Sequence, residues 1–177
     1  MSHDPAAAAS WTDDAAEFAR DPEAAYAALA RDLAALLAGE DDPLACLANA
    51  AAAIFHALPA LNWAGFYLLR GDTLVLGPFQ GRPACVRIPL GRGVCGAAAA
   101  RNDAVIVPDV ALFPGHIACD LRSRSELVVP VQAAGRAIGV LDLDSPLPGR
   151  FGPADAAGCA ALAALAAPAM AALLGPL

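Results

Sequence analysis

At 177 residues and 17.8 kDa, the chain has room for one ordinary domain and can bury a core without disulfides or metals. Charged residues make up only 16%, which speaks against intrinsic disorder. Eleven basic residues, all Arg, face 18 acidic ones for a net charge of −7, so the basic footprint of a nucleic-acid binder is missing.

The acidity is local. Residues 1–45 carry ten acids against Arg20 and Arg31, for −8, and the remainder carries eight acids against nine arginines, for +1, which together give −7. Residues 1–20 read as an Ala-rich lead-in; Met1–Ser10 lacks the basic and apolar regions of a signal peptide. Asp21-Pro22 then starts a helix, with Asp as cap and Pro at the first helical position, and Tyr26, Leu29, Leu33, Leu36 and Leu37 form its apolar stripe up to Gly39. Asp42-Pro43 opens a second helix through Leu44, Leu47, Ile54 and Phe55, ended by Pro59. Cys46 on that helix reads as a small core residue.

From Asn62 the pattern turns to strands. NWAGFYLLR, a Gly71-Asp72 turn and TLVLGPFQG read as a β-hairpin. Gly93–Arg101 reads as a short helix, AVIVPDV as a short strand, and Pro108–Ser123 as a long loop punctuated by Pro114-Gly115. SELVVPVQ, an Ala134-Gly135 turn and RAIGVLDLDS form a second hairpin. Phe151-Gly152-Pro153 leads into a last helix carrying Cys159; its stretch Ala156–Leu174 is charge-free and long enough for a membrane span. It is nevertheless mostly Ala, holds Gly158 and Pro168, and has no basic or aromatic flank, so it reads as a helix packed on a core or a second subunit. One α+β domain over residues 21–177, a central antiparallel sheet with an N-terminal helix pair and a C-terminal helix packed on it, accounts for the pattern.

Two constellations carry chemistry. The five cysteines, Cys46, Cys85, Cys95, Cys119 and Cys159, are odd in number and fit thiols of a cytoplasmic chain better than a disulfide framework. Cys85, Cys95 and Cys119 lie in the irregular middle of the chain, where function concentrates. Cys95, near a helix start, is placed for the dipole to favour its thiolate. His116-x-x-Cys119 could be half a zinc site, but no Cys-x-x-Cys pair completes it. The second constellation is acid. Strand alternation puts Asp142 and Asp144 on one face, with Leu141 and Leu143 on the other, and the preceding strand carries Glu126. Three carboxyls so placed raise one another's pKa and keep one neutral, able to donate a proton. Thiols beside a protonated carboxylic acid suit the reduction of a weakly basic oxygen such as that of a sulfoxide, with a sulfenic acid left on the enzyme.

FQGRPACVRIPLGRGVCGAAAA, VPDVALFPGHIACDLRSRSELVVPV and IGVLDLDSP, with NWAGFY upstream, closely resemble the free methionine-(R)-sulfoxide reductases, a family built on the GAF domain. The resemblance spans about residues 62–151, and the flanking helices fit the same architecture. It implies a single GAF domain and reduction of the R epimer of free methionine sulfoxide, with no bound cofactor or metal. It also implies Cys119 as the nucleophile, Cys85 as the main resolving thiol with Cys95 a second candidate, and thioredoxin as the reductant of the resulting disulfide. Glu126, Asp142 and Asp144 match the family's carboxylates that hold and protonate the sulfoxide oxygen. Trp63 and Tyr67 match its aromatic wall around the substrate, and a homodimer is the family's usual assembly. The rival reading is a non-catalytic GAF module that binds a small ligand and has no need of Cys119.

Overall fold

Two Asp-Pro pairs open the helices that the sequence predicts. In the computed structural model, which describes residues 15–117 and 119–175, the Asp21 carboxylate accepts from the Ala24 N–H at the head of α2 (Pro22–Leu37). Asp42 accepts from Leu44 and Ala45 at the head of α3 (Pro43–Ala57). Such caps satisfy N–H groups that have no partner within the helix. One expectation needs correction: the lead-in is not loose throughout, because Ala15–Arg20 forms a short helix, α1. Phe18 explains it, packing edge-on against the Tyr26 ring and so giving α1 an anchor on α2. The remainder of the lead-in lies outside the described residues.

The first hairpin is β1 (Trp63–Arg70) and β2 (Thr73–Gly81), followed by β3 (Arg87–Pro89), α4 (Gly93–Arg101) and β4 (Val105–Val107). The second is β5 (Ser125–Ala133) and β6 (Arg136–Ser145), and α5 (Pro153–Leu174) closes the chain. Ala134 and Gly135 both take positive φ, 49° and 75°, the conformation that two-residue hairpin turns require. The six strands form one antiparallel sheet in the order β3-β2-β1-β6-β5-β4. β3 has no signal in the sequence, because three residues are too few to show a period. The long loop holds one regular piece, a 3₁₀ turn at Val110–Leu112.

Strand alternation divides the sheet into two faces. Phe66 of β1, Leu127 and Val129 of β5, and Leu141 and Leu143 of β6 are buried against α2, α3 and α5. The apolar last helix lies on this face through Cys159, Leu162, Ala163, Ala166 and Met170, which are buried. Tyr26 Oη and Arg150 Nη1 each donate to Asp155 Oδ1 at 2.8 Å, tying α2 to the head of α5. Cys46 is buried in α3 as expected. The opposite face carries Trp63, Tyr67, Val128 and Val140, and packs with α4, β3 and β4 into a second, smaller core. That core surrounds the candidate site.

Candidate functional site

The register of three central strands fixes the carboxyl cluster. Asp144 of β6 lies between Trp63 of β1 and Glu126 of β5, and Asp142 lies between Gly65 and Val128. Glu126 and Asp142 are buried, and a donor atom from each lies within 4.8 Å of the Cys95 sulfur and of the other. Loss of water pushes all three carboxyls up, and mutual repulsion adds to it: Glu126 to about 7, Asp142 and Asp144 well above the ordinary carboxylate range. The expected acid trio is therefore brought together. Asp142 Oδ1 is buried and has no hydrogen-bond partner among the described residues, a costly state that a ligand in the adjoining pocket relieves.

The sulfurs arrive from two irregular segments. Cys85 follows β2 in the 82–86 segment, and Cys119 ends the loop after the 3₁₀ turn. Their sulfurs lie 2.6 Å apart, and the Cys85 N–H donates to Cys119 Sγ at 3.3 Å. Cys119 is exposed at the surface, yet its sulfur is partly shielded from water by its neighbours. That shielding and the Cys85 thiol push it up to about 12, against the opposing pull of the Cys85 N–H. A thiol of this kind rests protonated, so the sulfur needs its electrophile activated before it can attack.

The third cysteine behaves differently from expectation. Cys95 does sit in the first turn of α4, but it is buried, and burial together with Asp142 and Glu126 raises its pKa well above that of an ordinary thiol. A helix dipole contributes about 0.3–1 kcal/mol at such a position, too little to ionise a thiol enclosed among carboxyls. Cys95 lies against Glu126 and Asp142, whereas Cys119 contacts Cys85.

Aromatic side chains hold the frame. Trp63 stacks between Tyr67 and Phe79, with centroids 6.0 and 5.3 Å away. Trp63 Nε1 donates to the Arg82 carbonyl at 3.1 Å and Tyr67 Oη to the Cys85 carbonyl at 3.0 Å, so these two rings carry the segment that presents Cys85. The resulting pocket is a tight one of about 30 Å³, lined by Trp63, Tyr67, Cys95, Cys119 and the three carboxyl residues.

Sequence reasoning missed the fastenings of the loop that carries Cys119. His116 Nε2 lies 3.3 Å from Glu126 Oε2, so the histidine first considered as half a zinc site instead faces the acid cluster. Asn62 Nδ2 donates to Ser123 Oγ at 3.0 Å and to Asp120 Oδ2 at 3.3 Å. Arg122 grips Asp120 at 2.8 Å and holds its carboxyl far below the ordinary range. Local spacing offers no signal for the Asn62 contacts, which join positions 58 and 61 residues apart. A metal would find one sulfur and two oxygens at Cys95, Glu126 and Asp142, unlike the four Cys and His ligands usual in structural zinc sites.

Comparison with known proteins places this arrangement. The GAF domain family model matches residues 42–173. A protein named free methionine-R-sulfoxide reductase in Escherichia coli strain K12 is 57% identical over 139 residues, 78% of this chain and 84% of that protein. The X-ray structure of free methionine-R-sulfoxide reductase from Neisseria meningitidis in complex with its substrate superposes with a TM-score of 0.80 at 45% identity, covering 85% of this chain and 90% of that one. The reduced form of the Staphylococcus aureus protein gives a TM-score of 0.78 at 44% identity, covering 82% and 95%.

Proposed function

The chain belongs to the GAF-domain family of free methionine-R-sulfoxide reductases, and on that premise we propose that it reduces free L-methionine-(R)-sulfoxide to methionine with Cys119 as the nucleophile. One observation carries the reading: Cys119, in contact with the Cys85 thiol, lines the same pocket as three carboxyls whose pKa values are raised. Neither half is sufficient alone. A thiol that rests protonated attacks a sulfoxide poorly until the sulfoxide oxygen is itself protonated, and a neutral carboxylic acid within the pocket supplies that proton.

The steps balance as follows. The carboxyl cluster protonates the sulfoxide oxygen as Cys119 gives up its own proton to the cluster. The Cys119 sulfur takes the oxygen with its proton as a sulfenic acid, and methionine leaves with its sulfur reduced by two electrons. Cys85 then attacks the sulfenic sulfur; its proton departs with the hydroxyl as water, and a Cys85–Cys119 disulfide forms. A dithiol protein of the thioredoxin type exchanges with that disulfide, restoring both thiols and becoming oxidised itself. Cys95, enclosed with Glu126 and Asp142, is a second candidate for resolution. Trp63 and Tyr67 offer an apolar wall to the methyl-sulfur group, while Glu126, Asp142 and Asp144 hold the sulfoxide oxygen.

The test is NADPH consumption coupled through thioredoxin and its reductase, with free L-methionine-(R)-sulfoxide, the S epimer, and an R-sulfoxide residue inside a peptide. Turnover of the free R epimer alone is the expected result. Folded, reduced protein that binds the sulfoxide but turns over none of the three would make this a GAF ligand-binding module and end the reductase reading.

A further inference from the structure

Three carboxyls in register cannot all be ionised together, so something must decide which of them keeps the negative charge. The reading that follows rests on the reductase function proposed above. Glu126 shares its pocket with Asp142 and Asp144 from β6, Cys95 from α4, Tyr67 from β1, Arg82 from the 82–86 segment, and His116, Cys119 and Asp120 from the loop that carries Cys119, with Cys85 in contact with Cys119 beside it. Within that ring, and among the described residues, the one basic side chain within ion-pair distance of any of the three carboxyls is His116, at 3.3 Å from Glu126 Oε2.

We propose that His116 is a positioning residue for the reaction: it holds Glu126 as the anionic acceptor of the cluster and so leaves the transferable proton on the aspartates of β6. An imidazole donates through Nε2 in its neutral Nε2–H tautomer as well as in its charged form, so the arrangement does not depend on His116 being protonated. Asp142 completes the geometry. A carboxyl oxygen of Asp142 lies within 4.8 Å of one of Glu126, close enough that charge on Glu126 disfavours charge on Asp142. Its Oδ1 is buried, lacks a partner and belongs to the pocket lining. Glu126 thus meets His116 from the loop that carries Cys119 and Asp142 from the strand that carries the aspartates. Glu126 accordingly titrates near 7, whereas both aspartates are raised well beyond ordinary carboxyls.

The arrangement also joins loop and acid mechanically. His116 stands three residues before Cys119, and Ile117 between them packs on Gly93, where a Cβ would meet the Ile117 side chain at 3.1 Å. Gly93 has φ +61°, so both its conformation and its lack of a side chain let the loop settle over the head of α4. With Ile117 seated there, His116 is presented to Glu126 and Cys119 to Cys85 from a single short segment.

The experiment compares wild type, His116→Ala and His116→Gln. Gln keeps an N–H donor near the position of Nε2 and cannot carry a charge. The first readout is the pH profile of kcat/KM for free methionine-(R)-sulfoxide. In wild type its acid limb follows ionisation of Glu126. In His116→Ala that limb moves upward by about one pH unit or more, the loss expected for one hydrogen bond to a carboxylate. Activity then falls about tenfold near neutrality and recovers above pH 9. His116→Gln keeps the limb near its wild-type place. The second readout needs no substrate: titration of side-chain carboxyl carbons by NMR, with Glu126 assigned by its disappearance in Glu126→Gln, should show the same displacement. An unmoved Glu126 titration in His116→Ala overturns the proposal, as does an equal displacement in His116→Gln. A wild-type protein that turns over no sulfoxide while the NMR displacement persists separates the two failures. The pairing of His116 with Glu126 then stands, but the reductase reading falls and takes the catalytic role of His116 with it.

Discussion

Replacing Glu126 by Gln should stabilise the folded chain while slowing its chemistry. Glu126 is buried, and the folded protein holds its proton up to about pH 7, whereas an ordinary glutamate releases it near 4.5. Between those values the folded chain binds more protons than the unfolded one. Stability is therefore full below pH 4.5 and falls as pH rises through the window. At ~1.4 kcal/mol per pH unit, ionised Glu126 costs about 3 kcal/mol at pH 8. The amide removes that cost, since it cannot ionise and keeps nearly the same shape beside His116 and Asp142. The assay is urea unfolding at pH 4.5 and pH 8. The variant should match wild type at the lower pH and exceed it by about 3 kcal/mol at the higher, while kcat drops by roughly 10²–10⁴, the range for general acid–base groups. A variant less stable than wild type at pH 8, or a wild type whose stability does not fall between the two pH values, refutes the picture of an acid cluster held at a cost.

Cys119→Ser abolishes turnover while calorimetry still shows sulfoxide binding; substantial residual turnover moves the nucleophile elsewhere. Cys85→Ser releases a stoichiometric burst of methionine in a single turnover and then stalls with thioredoxin, and normal cycling would make Cys95 the resolving thiol. Tyr67→Phe removes the hydrogen bond that holds the Cys85 carbonyl, worth about 1 kcal/mol. It therefore slows disulfide formation more than methionine release, which quench-flow separates; equal slowing of both steps counts against an anchoring role. Gly158→Ala drives a Cβ into the Tyr26 ring between α2 and α5. Overpacking of this kind costs about 1–3 kcal/mol in thermal unfolding, and kcat per folded molecule stays unchanged because the contact lies on the helix side of the sheet.

What the sequence reveals here depends on whether a feature is periodic or local. The Asp-Pro caps of α2 and α3, the two hairpins and the bounds of α4 all come from signals within a few residues, and each is found where the pattern puts it. The acid face is legible for the same reason, since Asp142 and Asp144 alternate with Leu141 and Leu143, but the pairing of Glu126 with Asp144 also needs a one-residue register shift at Val131/Gln132 that the turn alone does not predict. β3 and α1 escape because short elements show no period and draw their stability from contacts with distant residues. The Asn62 fastenings of the loop that carries Cys119 escape because they join residues far apart in the chain. Asn62 with Ser123, and Tyr67 with the Cys85 carbonyl, exist only once β1 lies beneath both segments.

Cys95 shows how one local rule gives way to its surroundings. The head of a helix favours a thiolate when water or a cation helps to carry the charge. Here the α4 head faces the carboxyl side of the sheet, so the sulfur meets Asp142 and Glu126 in a closed space and keeps its proton. Cys119 and Cys85 escape that enclosure because neither stands on a regular element. Cys85 stands on the segment after β2 that the hydrogen bonds of Trp63 and Tyr67 tie to β1, and Cys119 on a loop fastened by Asn62 and His116. The sheet thus separates two demands that conflict. Acids are raised by rigid burial on paired strands, and thiols are left on segments with an exposed edge, where they can meet each other and an external reductant. Moving the acids to the loops would let water lower their pKa values, and moving the thiols to the strands would close them off from reduction.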